Sequence, residues 1–368
     1  MPKILFIASH RPKRSPSQRF RFEQYLEFFG QHGYECTYSY LISEEDDRMF
    51  YQPGNLRRKI YFFLKSVWIR WKDVRRCNDF DLVFVQREAF MTGSVYFERR
   101  FSQSRAKLIF DFDDAIWKLD VSEGNRKFGW LKNPGKTSSL IALSDQVIAG
   151  NSYLYAYARQ FNPKVTLIPT TIDTTRFLPA AARPEPSCIR IGWSGSHTTI
   201  KHFEYALPFL IALKKKYGNR ICFKVVGDPD YAFPELGIKG VAWSEETEVQ
   251  ELADIDIGIM PLPDDEWAKG KCGLKGLSYM SLEIPTVMSP VGVNSEIIRD
   301  GVNGFLADTD AAWIDTLSRL IESPALRKQL GKAGRVTVVE SYSVLSQRQT
   351  YLNLFEALVK PSGPDGND

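Results

Sequence analysis

Three lysines, Lys269, Lys271 and Lys275, crowd a glycine-containing loop that runs into a helical pattern at 274–282. Cations at a helix start, where backbone N–H groups point outward, make a site for a diphosphate. The same spacing also arises when lysines simply line a solvated face. Asn294 and Glu296 follow the next short apolar run, 285–289, and Gly301, Asn303 and Gly304 read as a turn before another. A second anion-binding candidate is GWSGSHTTIK (192–201). Ser194, Gly195 and Ser196 form a small-residue turn between a strand and a helix, which can present N–H groups to phosphate, and Lys201 adds charge. Small residues also make tight turns for their own sake, and His197 in that turn reads as a polar surface side chain.

Two further loops could do chemistry. FDFDDAIW (110–117) places Asp111, Asp113 and Asp114 within four residues. Such a cluster suits a hard divalent cation. It equally suits one carboxylate acting as acid, base or charge stabiliser while another caps a following helix. SHRPKRSPSQRFRF (9–22) carries Arg11, Lys13, Arg14, Arg19 and Arg21 and lacks the G-x-G-x-x-G fingerprint, which disfavours a nicotinamide or flavin role. It is either a solvated basic loop or a contact for a phosphate-bearing substrate, with Arg19 nearest a helix start.

Elements that could position these loops follow from the apolar pattern. Short apolar runs at 3–9, 35–41, 81–86, 107–112, 146–150 and 165–169 alternate with helix candidates at 18–32, 56–74, 92–104 and 152–161. The rhythm breaks at 178–188, where proline and alanine concentrate without periodicity, a linker signal. It restarts with runs at 188–194, 221–227, 255–261, 285–289 and 304–307 and helices at 199–216, 245–253, 274–282, 293–299 and 310–334. Continuous apolar strands separated by helices indicate parallel sheets covered on both faces. The expected architecture is α/β, with two doubly wound Rossmann-like domains facing an interdomain cleft. Its parts are a domain at 1–178, a linker at 179–188, a second domain at 189–340, a C-terminal helix at 341–360 packing back on the first domain, and a disordered tail at 361–368. In such sheets ligands bind beyond the carboxyl ends of strands, where all four loops fall.

The chain's 368 residues suffice for two cores, and a net charge of +4 implies no general affinity for nucleic acid. Five scattered cysteines, Cys36, Cys77, Cys188, Cys222 and Cys272, show no metal-ligand spacing. They argue against a disulfide framework and for a reducing compartment. No signal-peptide pattern and no uncharged apolar run of ~18 residues are present, so the expected location is cytoplasmic, with peripheral attachment to the inner membrane face open. The segment 57–76, RRKIYFFLKSVWIRWKDVRR, holds eight Lys or Arg and one acid, with Trp68 and Trp71 on one helical face. It suits the surface of an anionic membrane, or else an ordinary helix packed on the sheet with a basic outer face.

Together, DQVIAGNSYLYAYARQF with KVTLIPTTIDTTRFLP (145–179) and MSLEIPTVMSPVGVNSEIIRDGVNGFLA (280–307) resemble the retaining glycosyltransferases of family 4, which have the GT-B fold. The family phrase IPNGID..RF.P stands here as Ile168 to Pro179. This resemblance spans almost the whole chain. It implies a UDP- or GDP-type nucleotide sugar as donor, bound by the second domain, and a glycan acceptor, lipid-linked where the membrane is involved, on the first. Neither a cofactor nor a divalent metal is implied. Diphosphate contacts would come from the 194–201 loop, Lys271 and Lys275, with Asp113 facing the sugar, Asp114 beside it, and Asn294 and Glu296 near the donor. Lys201, Lys271 and Asp113 are the expected catalytic residues. Three departures stand out: Gly270 and Ser278 replace the family's paired glutamates, with Ser278 left to meet the ribose; the arginine of its Arg/Lys phosphate pair is missing, only Lys201 matching; and Asp113 stands where many members have histidine. These departures keep open a non-catalytic GT-B-like subunit, or a sugar-nucleotide epimerase, beside a transferase of cell-surface polysaccharide or glycoconjugate synthesis.

Overall fold

The computed structural model describes residues 1–50, 55–118, 133, 135–180 and 187–359, the side chains of 48–50 excepted. The expected linker lies largely outside the described residues, at 181–186, and so does the tail 361–368. The chain divides into two compact units, Met1–Pro169 with the segment from Gln347 onward, and Thr170–Ser346.

The first unit is built on six parallel strands: β1 (Lys3–Ile7), β2 (Glu35–Ser39), β3 (Leu82–Gln86), β4 (Lys107–Phe112), β5 (Gln146–Ala149) and β6 (Val165–Leu167). They lie in the order β2-β1-β3-β4-β5-β6. The apolar runs became strands because each is buried on both faces: all five residues of β3 are inaccessible, as are five of the six in β4. One aromatic cluster fills one side. Phe6 packs on Phe22, Phe29 and Phe84, and the C-terminal helix adds Tyr351 against Tyr25 and Phe355 against Phe29.

The second unit has seven strands: β7 (Ile189–Ser194), β8 (Ile221–Val226), β9 (Ala232–Phe233), β10 (Ile238–Val241), β11 (Ile257–Met260), β12 (Thr286–Met288) and β13 (Phe305–Leu306). Their order is β13-β12-β11-β7-β8-β10-β9, all parallel except the β9–β10 pair. From β7 the chain winds outward through β8 and β10, then returns to lay down β11, β12 and β13 on the other side. That reversal between β7 and β11 is the topological switch point of a doubly wound sheet. The first unit reverses in the same way between β1 and β3.

Several helices differ from the pattern-based expectation for local reasons. The stretch 310–334 is two helices, Asp310–Glu322 and Pro324–Ser341, because Pro324 starts a new first turn and the Ser323 hydroxyl accepts from Leu326 N–H at 3.2 Å. Pro208 likewise separates Ile200–Glu204 from Leu207–Tyr217. The single helix expected at 18–32 is broken into Pro16–Arg21, a 3-10 turn and Leu26–Gln31. The segment after Pro169 packs with the second unit, since Ile172 bridges Ser343 and Arg335 donates to Phe177 O at 2.9 Å.

The expectation of no disulfide is corrected. Cys188 and Cys222 form one, with Cα atoms 5.9 Å apart. Thirty-four residues separate them in sequence, but β7 and β8 are hydrogen-bonded neighbours, and Cys222 lies opposite Arg190. Linear spacing carries no trace of that adjacency, and the cysteine argument for a reducing compartment falls with it.

Candidate functional site

At the switch point of the second unit, the loops following β7 and β11 carry the two anion-binding candidates of the sequence. Tyr279 ties them together. It lies inside helix Leu274–Ser281, fully buried, and its hydroxyl accepts from Ser194 N–H at 2.7 Å and meets Ser194 Oγ at 3.1 Å. Burial raises the phenol well above its ordinary range, so it stays a neutral partner. Gly273 starts that helix at φ +70°, where a Cβ would come within 2.3 Å of Ile297 Cδ1. Only glycine brings the lysine loop this close to helix Asn294–Ile297.

The electrostatics at His202 show which lysines converge. This residue is 3 % exposed, and its Nδ1 has no hydrogen-bond partner. Burial first, then the charges of Lys275, Lys271 and Lys201, push its imidazole down to about 4. Three cations act on this ring, with Asp265 opposing them. Lys271 lies with Nζ 4.5 Å from the Trp267 ring centre, and Lys275 with Nζ 5.3 Å from that of Trp193. Both are preorganised over aromatic faces. Lys269 pairs with Asp264 at 3.0 Å.

The remaining candidates of this unit have distinct environments. Ser196 and Thr199 close the turn after Gly195, the Thr199 hydroxyl donating to Ser196 O at 3.0 Å. Asn294 is buried. Its Nδ2 donates to Ser289 O at 3.0 Å, and its Oδ1 has no hydrogen-bond partner. Glu296 is exposed on the same short helix. Ser278 is buried, and its hydroxyl donates to Leu274 O at 2.9 Å, the helix's own carbonyl four residues back. His202, Tyr279 and Trp193 were not singled out from sequence. The signal for Tyr279 and Trp193 was present only as apolar periodicity, which does not tell a core aromatic from a scaffold for a site.

The first unit gathers charge at the carboxyl ends of β3 and β4. Arg87 follows β3 at φ +62°, an uncommon conformation for a residue with a side chain. Its Nε donates to Asp113 Oδ1 at 2.8 Å and its Nη2 to Asp114 Oδ2 at 3.4 Å. Burial pulls the Asp113 carboxyl upward, but the Arg87 charge and hydrogen bond outweigh it and hold the acid below its usual range. Asp113 is thus an ionised acceptor. Asp114 Oδ1 accepts from Ala115 N–H at 3.1 Å, in a turn and not at a helix start. Asp111 is buried in the core, in a pair with Arg21 at 2.5 Å. The three carboxylates are thus turned to arginines, and among the described residues no group of three or more acidic, histidine or cysteine side chains could hold a metal ion.

The basic loop 9–22 is largely engaged in internal pairs. Arg11 and Arg14 both reach Asp47, at 2.8 and 2.5 Å, and Arg21 is buried. Arg19 is also buried, its guanidinium 4.9 Å from the Phe20 ring centre. The reading of a fully solvated loop does not describe it.

Comparison with known proteins is decided in the second unit. Residues 188–323 match the family described as Glycosyl transferases group 1. The second unit is thus similar to the domain of that family. The chain's overall fold is GT-B. Similar solved structures are sucrose-phosphate synthase from Thermosynechococcus elongatus (15 % identity, TM-score 0.68, covering 97 % of this chain and 99 % of that one) and a glycosyltransferase from Rickettsia africae (15 %, 0.67, 98 % and 99 %). A third is HepE from Anabaena, in complex with UDP and glucose (14 %, 0.65, 97 % and 100 %). No curated protein sequence matches the chain. The matched segment contains the lysine loop, the Ser194–Ser196 turn, His202 and Tyr279.

Proposed function

We propose that this enzyme moves a sugar from a nucleoside-diphosphate sugar, of UDP or GDP type, to a glycan acceptor, with retention of anomeric configuration. The observation that carries the reading is the tie between the two loops at the switch point of the second unit: Tyr279, in the helix that follows the lysine loop, accepts from Ser194 N–H at 2.7 Å, and Lys275 lies 5.3 Å from the Trp193 ring centre. Cations set at the ends of β7 and β11 make this edge of the sheet attractive to an anionic diphosphate. As the bond from the anomeric carbon to the β-phosphate oxygen breaks, its electron pair stays on the phosphate, which the lysines stabilise. The acceptor hydroxyl supplies the oxygen of the new glycosidic bond, and its proton leaves with the nucleoside diphosphate. Asn294 and Glu296 would border the donor, and Ser278 would take little part, since its hydroxyl is turned to the helix backbone. In the first unit Asp113, ionised and backed by Arg87, would face the transferring sugar as a charge stabiliser. The HepE complexes with UDP support a uridine donor as the first to test.

A thermal-shift screen of the full chain against UDP, GDP, ADP and dTDP tests the donor reading. Ligand at about 100 times Kd adds about 2.7 kcal/mol to the bound state. For domains of this size that raises Tm by roughly 5–10 °C. One nucleotide family giving that shift is the expected result, and no shift with any of them contradicts the reading.

The acceptor is proposed to be lipid-linked, with synthesis of cell-surface polysaccharide or glycoconjugate as its setting and the enzyme peripheral to the cytoplasmic membrane face. Support comes from helix Leu56–Arg76, whose buried side mixes Phe62 and Val74 with Ser66, Arg70 and Asp73 while its outer side carries apolar and basic side chains. Arg70 and Asp73 are inside, paired at 2.9 Å, with Arg70 also donating to Ala8 O and Ala89 O. Leu56, Ile60, Tyr61, Leu64 and Trp68 are each more than half exposed. That exposed apolar row, flanked by cations, suits insertion of rings and aliphatic chains among anionic headgroups. Among the described residues no helix is long and apolar enough to cross a bilayer. Sedimentation with vesicles containing phosphatidylglycerol should retain the wild type and lose most of the Ile60→Glu, Leu64→Glu, Trp68→Glu variant. Equal sedimentation of the two proteins contradicts the membrane reading.

A further inference from the structure

The loop after β8 contributes a group that neither the spacing of residues nor the lysine cluster indicates. His197, in the turn after β7, has Nδ1 2.8 Å from Oδ2 of Asp228. The two partners differ sharply in exposure: the His197 side chain is 79 % accessible and that of Asp228 only 6 %. A surface imidazole held by a buried carboxylate is oriented, not freely rotating. Nδ1–H donates inward to Asp228, and Nε2 is left facing outward at the carboxyl edge of the sheet.

The support beneath Asp228 is built with unusual closeness. Gly227 sits at φ +119°, and a Cβ on it would lie 1.7 Å from Gly195 O. A Cβ on Gly240 would lie 1.8 Å from Asp228 O. Neither position admits any other residue without moving backbone. Two glycines therefore let the β7 turn, the β8 turn and β10 close on one another, and that closure brings Asp228 under His197. Asp228 Oδ1 also accepts from Asp230 N–H at 3.2 Å, which fixes the rotation of its carboxylate. A surface histidine with no task needs none of this second layer.

Resting on the donor reading above, we infer that His197, positioned by Asp228, is a further ligand of the donor diphosphate, its protonated ring donating Nε2–H to a phosphate oxygen. The charge would stand in for the arginine missing from the Ser194–Ser196 turn. Asp228 orients the ring through Nδ1–H and does not itself meet the ligand. The β-phosphate oxygen gains the electron pair of the broken glycosidic bond and keeps it. His197 strengthens a hydrogen bond without giving up its proton.

Calorimetric titration of the full chain with UDP and with uridine, at pH 6, tests this on His197→Gln, His197→Arg, Asp228→Asn and the double variant. His197→Gln should weaken UDP binding by about 10–100-fold, the effect of one hydrogen bond to a charged group. Uridine binding should be unchanged. His197→Arg should stay within about threefold of wild type, because it restores the cation. Asp228→Asn should fall with His197→Gln, and the double variant should fall no further than either single one, as expected for groups acting as a unit. UDP affinity of His197→Gln within twofold of wild type overturns the inference. Full additivity of the two changes overturns the role of Asp228. Failure of the wild type to bind any nucleoside diphosphate is a different outcome: it removes the donor reading itself, and His197 with it.

Discussion

Lys271→Ala lowers kcat/KM by about 10²–10³-fold, the usual effect of removing one preorganised charge-stabilising donor from a transfer site. The folded state should hardly notice. Lys271 is partly exposed and its side chain rests on the Trp267 ring at 4.5 Å, a contact contributing about 0.5–1 kcal/mol at such a position. For a unit of this size that amounts to a fall in Tm of no more than about 4 °C. The split between turnover and stability is therefore the test: initial rates of nucleoside diphosphate release beside a melting curve of the same preparation. Loss of rate with an intact melt is expected. Near-normal turnover would remove Lys271 from the catalytic groups, and a collapse of the melt would make it a structural residue.

The largest stability effect is expected in the first unit, at Arg21→Ala. Arg21 and Asp111 are both inaccessible to solvent. The guanidinium gives Asp111 a bond at 2.5 Å from Nη2 and gives Ile168 O another at 2.5 Å from Nη1. Truncation leaves a buried carboxylate without its counter-ion, which costs about 3–5 kcal/mol. At 2–4 °C per kcal/mol the unfolding midpoint of that unit should fall by roughly 6–20 °C. Arg21→Met with Asp111→Leu should recover much of the loss, since removing both charges also removes their desolvation. Differential scanning calorimetry of the single and double variants checks both statements. A single variant within 1 kcal/mol of wild type, or a double variant less stable than the single one, contradicts the account of this pair.

Most of the architecture was legible because buried parallel strands are continuous apolar runs. Every strand of the first unit lies within a run read directly from sequence, as do β7, β8, β11, β12 and β13. The pair β9 and β10 was missed: Ala232–Phe233 is two residues long, and Ile238–Val241 contains Lys239 and Gly240, so neither shows a period. Helix breaks at Pro208 and Pro324 were available from the prolines, but the apolar pattern continues across them.

Side-chain partnership was much less legible than position. The sequence grouped Arg21 with the basic loop and Asp111 with Asp113 and Asp114. In the fold Arg21 and Asp111 instead find each other across ninety residues, with Asp111 in a strand buried on both faces. Arg87, which organises Asp113 and Asp114, stood out by nothing in its neighbourhood. The same holds for Asp228 beneath His197 and for Cys222 beside Cys188. Each pair joins turns or strands that are adjacent in the sheet and distant in the chain, and only strand order reveals them. That Lys271, Lys275 and the Ser194 turn fall just after β11 and β7 was legible, because strand-end loops carry their small and charged residues in compact local runs.

The most direct test of the central claim is a calorimetric titration of the intact chain with UDP, UMP and uridine under one set of conditions. If the lysines of the second unit read a diphosphate, affinity should rise steeply with phosphate number. UDP should bind one to one and at least tenfold tighter than UMP, with uridine weaker still. Equal affinity for UDP and UMP would mean that the lysine cluster does not hold a diphosphate, and the assignment of the donor site to the β7–β11 switch point would fail.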